Sequence, residues 1–123
     1  MNIKRFEDIV AWQKAQELCT LLYKNLRECK DYSFKDQLLR AVLSISNNIA
    51  EGFDRGSEKE LRQFLYIAKG SAAEVRSMLY LAGNLGYLPP QTIEQAFTLT
   101  DETSRILAVF IQRINAGLVS RRG

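Results

Sequence analysis

Apolar residues recur at three- and four-residue steps along almost the whole chain, and four separate stretches carry that period. The first spans about residues 7–29, with Ala11, Ala15, Leu18, Leu22 and Leu26 on one face and Trp12 and Leu21 widening it. The second, about 34–52, carries Leu38, Val42, Ile45 and Ile49, with Leu39 and Leu43 beside them. The third, about 58–86, has the cleanest stripe: Leu61, Phe64, Leu65, Ala68, Ala72, Val75, Leu79 and Ala82. The fourth, about 91–117, points Ile93, Ala96, Thr100, Thr103, Leu107, Phe110 and Ile114 inward. Each stretch therefore predicts an amphipathic helix with one face to bury.

The breaks between them have their own chemistry. The polar run Lys30-Asp31-Tyr32-Ser33 closes the first helix, and Ser33-x-x-Asp36 is an N-cap for the second. Phe53-Asp54-Arg55-Gly56 reads as a tight connection, and Ser57-x-x-Glu60 as a capping box opening the third helix. Gly86 supplies a left-handed cap, and Pro89-Pro90 forbids continuation while allowing Pro90 an early place in the fourth helix. No sustained alternation of period two and no Asn-Gly or Asp-Gly turn predicts strands. Helices joined by connections this short lie antiparallel to their neighbours, so the expected fold is an all-α antiparallel four-helix bundle. With 123 residues it forms one domain, 1–123.

Composition changes this picture little. Hydrophobic residues make up 46% and charged residues 25%, ordinary for a globular chain. The balance of 17 Lys and Arg against 14 Asp and Glu gives +3, which permits a polyanionic partner without demanding one. The N-terminal segment turns acidic at Glu7 and Asp8 before any apolar run develops, so no signal peptide is expected, and no stretch is apolar enough to span a membrane. On one helix, Cys19 and Cys29 would stand roughly 15 Å apart, too far to bridge. Reduced thiols and a cytoplasmic location are the expectation.

The chemistry that is missing excludes more. There is no histidine, which removes the commonest general base and the inward Glu-x-x-His pairs of di-metal bundles. The cysteines lack zinc-site spacing, and Ala68-Lys69-Gly70-Ser71 lacks the rest of a phosphate-binding loop. Glu51, Asp54, Glu58 and Glu60 gather near the second connection; they could bind a cation, but capping and helix-dipole stabilisation account for them more simply. No catalytic residue, metal or cofactor is expected.

One constellation resists a purely structural account. Asn47, Asn48 and Glu51 sit in or beside the apolar face of Ile45 and Ile49, and polar groups near a core need partners. A turn centred near residues 54–56 sets position 48 opposite about 62 and position 40 opposite about 70. Arg62 would then approach Asn48 and Glu51, and Arg40 would lie near Ser71, within a turn of Glu74. Arg40, Ser71 and Glu74 read as a register-fixing network; Asn48, Glu51 and Arg62 read equally as structure or as a patch for a partner.

The run Ser44-Ile45-Ser46-Asn47-Asn48-Ile49-Ala50-Glu51-Gly52 resembles the signature of a bacterial four-helix-bundle family that includes proteins encoded in intervening sequences of 23S ribosomal RNA genes. The resemblance continues through Phe64-Leu65-x-x-Ala68-x-Gly70-Ser71-x-x-Glu74 and Leu85-Gly86-Tyr87, with Trp12 and Ala15 near the start. It implies a left-handed up-down-up-down bundle, assembly into a homopentameric ring, and kinship with accessory proteins of diversity-generating retroelements, which bind nucleic acid and a reverse transcriptase.

Two functions follow as expectations. The first is a non-catalytic RNA-associated protein, with Arg55, Lys59, Arg62 and Lys69 near the start of the third helix and Arg113, Arg121 and Arg122 toward the C-terminus as phosphate contacts. No aromatic-basic motif of the RNA-recognition kind is present, so shape and phosphate contact would dominate. The second is a homo-oligomeric scaffold or adaptor for a partner protein. Trp12, Tyr23, Phe53, Tyr66, Tyr80 and Phe97 fall partly outside the main stripes, either as ordinarily exposed aromatics or as a second apolar seam for self-association.

Overall fold

The computed structural model describes residues 2–121. Four helices occupy most of that length: α1 (Val10–Asn25), α2 (Tyr32–Asp54), α3 (Glu58–Asn84) and α4 (Pro90–Asn115). Each packs on its two neighbours, α1 on α2 and α4, and α3 on α2 and α4, which is the arrangement of an antiparallel four-helix bundle. The inward stripes are the predicted ones. Leu18, Leu22, Leu38, Val42, Ile45, Ile49, Leu65, Val75, Leu79 and Leu107 have no solvent exposure at all. Thr100 and Thr103, buried among them, return their hydroxyl protons to the carbonyls of Ala96 and Leu99 one turn back, so no polar atom is stranded.

The helix ends differ from the sequence expectation in three places. α1 stops at Asn25, leaving Cys29 in the connection; both cysteines are free, and burial pushes the Cys19 thiol up. The N-cap of α2 is Asp31, whose Oδ1 accepts from the Phe34 amide at 3.2 Å, and Ser33 lies inside the first turn. Asp31 prevails because its second oxygen is held by the Tyr87 hydroxyl at 2.6 Å, from the far side of the chain. At the other end α2 runs through Phe53 and Asp54, since Phe53 is buried and gains by staying in register with the core.

The remaining caps follow expectation. Ser57 Oγ accepts from the Glu60 amide at 3.1 Å, the first arm of the capping box, and the Glu60 carboxylate accepts from the Ser57 hydroxyl in place of its backbone amide. Gly86 takes φ +69°, with Tyr87 N–H on Ala82 O and Gly86 N–H on Gly83 O, a Schellman ending of α3. One feature carries no sequence signal: β1 (Asn2–Ile3) pairs in parallel with β2 (Ser120–Arg121), tying together the chain segments before α1 and after α4. No helix among the described residues is long and apolar enough to cross a membrane.

Candidate functional site

Three polar residues of the signature run, Ser44, Ser46 and Asn48, are absorbed by helix packing, whereas Asn47 and Glu51 are exposed. Ser44 on α2 and Ser71 on α3 meet across the seam with their hydroxyl oxygens 2.8 Å apart. Asn48 Nδ2 donates to the Ser44 carbonyl at 2.7 Å and to its hydroxyl at 2.8 Å, completing a three-residue network. Ser46, fully buried on the α1 side, accepts from Gln16 Nε2 at 3.1 Å. A turn further on, Gly52 lets α3 approach so closely that an added Cβ would stand 2.6 Å from Phe64 Cβ. The signature therefore encodes how α2 sits against α1 and α3.

The Ser44–Ser71 pairing also corrects the expected register. It shifts the α2–α3 crossing by more than a turn, because α2 extends past Gly52 to Asp54. Arg62 consequently faces α4, donating to Asn115 Oδ1 at 3.3 Å, not toward Asn48 and Glu51. Ser71 bonds Ser44 in place of Arg40, and Arg40 and Glu74 both stand exposed on the bundle surface.

Around the α2–α3 connection, Arg55 is held by its own protein. Its guanidinium meets Glu51 Oε2 at 2.7 Å and Glu60 Oε2 at 3.6 Å, and lies 5.0 Å from the Phe64 ring centre. The Glu51 hydrogen bond, reinforced by the charges of Glu51 and Glu60, raises the Arg55 pKa. Lys59 and Arg113 are exposed, and Lys69 is half-buried, none in an ion pair among the described residues. Arg121 contributes backbone pairing in β2, and Arg122 lies outside the described residues.

The α3–α4 edge holds a cluster that sequence reasoning passed over. Arg76 Nε donates to Asp101 Oδ1 at 3.0 Å, and its guanidinium lies over both Tyr80 and Phe97 at 5.6 and 5.8 Å. Those two rings touch, with centres 4.8 Å apart. Arg62, Lys69 and Arg76 follow one another at seven-residue steps, and that spacing was the signal available in the sequence. Among the described residues, no three His, Cys, Asp or Glu side chains come together in a way that could hold a metal ion.

Comparison with known proteins agrees with this geometry. A crystal structure of a Bacteroides thetaiotaomicron protein of unknown function from the S23 ribosomal protein family superimposes with a TM-score of 0.77 at 26% identity, covering 83% of this chain and 98% of that one. No curated protein matches the chain. The family model described as 23S rRNA-intervening sequence protein matches residues 7–109, which takes in the whole α2–α3 signature. The chain belongs to the 23S rRNA-intervening sequence protein family.

Proposed function

We propose that the protein is a non-catalytic, self-associating bundle that binds structured RNA through phosphate contacts on its basic surfaces. The observation that carries this reading is which cations are left uncompensated. Arg55 is spent on Glu51 and Glu60, whereas Lys59, Lys69 and Arg113 have no carboxylate partner among the described ion pairs and Arg62 meets only the neutral Asn115. Free cations of this kind are what a polyanion neutralises, and the kinship with nucleic-acid-binding accessory proteins that the signature run implies favours RNA as that polyanion. Repetition of a weak patch in an oligomer would turn modest phosphate contacts into useful avidity.

A titration of a labelled RNA hairpin against the purified protein at several salt concentrations tests the reading. The expected result is binding that weakens steeply with salt; no binding even at low salt overturns it. Charge reversal by Lys59→Glu and Arg62→Glu should weaken binding and flatten the salt slope by about one per lost phosphate contact, with helicity unchanged.

The second reading, a homo-oligomeric scaffold for a partner protein, is favoured by the outward face of α3. Its successive outward positions are Gln63, Ile67, Gly70, Glu74, Ser77 and Leu81, with one charge among them. Self-association without RNA affinity would leave that reading standing alone.

A further inference from the structure

The edge where α3 meets α4 alternates cations with exposed rings. Along α3 the order is Arg62, Tyr66, Lys69, Ala73, Arg76, Tyr80, at steps of four and three residues, so all six lie on one side of the helix. Contacts to α4 fix that side: Arg62 reaches Asn115 and Arg76 reaches Asp101. The cations are spaced about 10 Å apart, and the two tyrosines about 21 Å apart. Arg105 stands exposed on the neighbouring face of α4. Four cations thus share this edge with Asp101, which Arg76 engages, and with Glu58 and Glu94 toward its two ends, so Lys69 and Arg105 sit in its most basic stretch.

The rings are presented as surfaces. Tyr66 is 56% exposed and Tyr80 54% exposed, so about half of each side chain is open to solvent. Tyr80 is braced by Phe97 behind it and by the Arg76 guanidinium, which Asp101 holds in place. A cavity of about 610 Å³ opens beside this pair, with Phe97, Ile93 and Leu88 as its apolar wall and the carboxylates of Glu94 and Asp101 at its rim. A duplex, whose bases are already stacked, has no use for such platforms; an unpaired base does.

We propose that the α3–α4 edge is a track for an unpaired RNA segment, with phosphates on Arg62, Lys69 and Arg105 and bases stacked on Tyr66 and on the braced Tyr80–Phe97 pair. The proposal rests on the nucleic-acid reading above and narrows it to the unpaired segments of a structured RNA and to one face. Charge complementarity argues for a polyanion here, because a protein partner would leave Lys69 and Arg105 without counter-charges unless it were itself strongly acidic.

The test compares fluorescence anisotropy of a labelled, unstructured oligoadenylate with that of a fully paired hairpin, on the full chain and its variants. The oligoadenylate is expected to bind, with Tyr66→Ala and Tyr80→Ala each weakening it about tenfold. Tyr80→Phe should retain affinity and Tyr80→Leu should not, since stacking needs the ring and not merely apolar area. Hairpin binding without oligoadenylate binding, or indifference to the tyrosine-to-alanine changes, overturns the track while leaving the nucleic-acid reading intact. Failure of both RNAs removes both. Tyrosine variants that alter the solution mass with no effect on RNA affinity would make this edge a contact between copies and likewise overturn the proposal.

Discussion

Gly52 shows how one atom governs the approach of two helices. A methyl group there would sit 2.6 Å from Phe64 Cβ and 3.4 Å from the Leu61 carbonyl, and neither neighbour is the free end of a flexible chain. Alanine would gain about 1 kcal/mol of helix propensity. Overpacking of this kind costs about 1–3 kcal/mol, and at 2.6 Å the upper part of that range applies. Gly52→Ala is therefore expected to lower the midpoint of thermal unfolding, whereas Gly56→Ala, with nothing within 4 Å of its Cβ, should not through any clash. The Asp31–Tyr87 contact makes a second prediction, in pH. Tyr87 chiefly, then the Phe34 amide, hold the Asp31 carboxyl below the usual range, and Asp31 in turn raises the Tyr87 phenol. A depressed acid contributes stability above its unfolded pKa and loses it as pH falls through the folded value; a raised phenol contributes below its unfolded pKa and loses it as pH rises. Tyr87→Phe should thus lower stability at neutral pH while moderating its decline at both the acid and alkaline limbs, as read by urea unfolding across pH.

At the scale of the element, what was legible in the sequence was the inward stripe of each helix, and what was not depended on distant partners. The period of Leu61, Leu65, Ala68, Ala72 and Val75 is dictated by geometry alone, so it could be read locally. The choice of Asp31 over Ser33 as a cap could not, because the hydroxyl that fixes it comes from Tyr87, beyond α3. The α2–α3 register slipped for a similar reason: whether Phe53 belongs to a turn or to the core is decided by its burial in the folded chain, which the local sequence does not show. The two-residue pairing of β1 with β2 has no pattern at all in so short a stretch. Among the candidate cations the residues were visible but their compensation was not, since only the folded chain brings Arg55 between two carboxylates and Arg62 to Asn115. Where the signal was local, its energetics should be local too. Ser57→Ala removes the acceptor for the Glu60 amide and should cost about 1 kcal/mol in chemical denaturation, without changing the fold.

For the whole molecule, the proposed self-association needs a surface on which a second copy would dock. The other helices turn many polar positions outward, such as Gln13, Glu17 and Thr20 on α1, Asp36, Arg40 and Asn47 on α2, and Glu94, Thr98 and Gln112 on α4, although Val10 and Tyr23 on α1, Tyr32 on α2 and Val109 on α4 are exposed as well. What distinguishes α3 is that Ile67 and Leu81, 49% and 46% exposed, share one outward stripe with Gly70 and Ser77 between them keeping the helix surface low. A partner helix could approach closely there and remove both apolar side chains from water. Self-association through this face predicts a solution mass that is a multiple of 14.1 kDa, five-fold if the ring implied by the signature run forms. Ile67→Gln combined with Leu81→Gln should return the protein to one protomer by light scattering while the helical circular dichroism is retained, since neither side chain is in the core. RNA affinity should fall with it although no phosphate contact is touched, because the avidity of repeated patches is lost. A wild-type protein that runs as one protomer at micromolar concentration would refute this assignment of the face, and the exposed apolar stripe of α3 would then have to be met by a different protein.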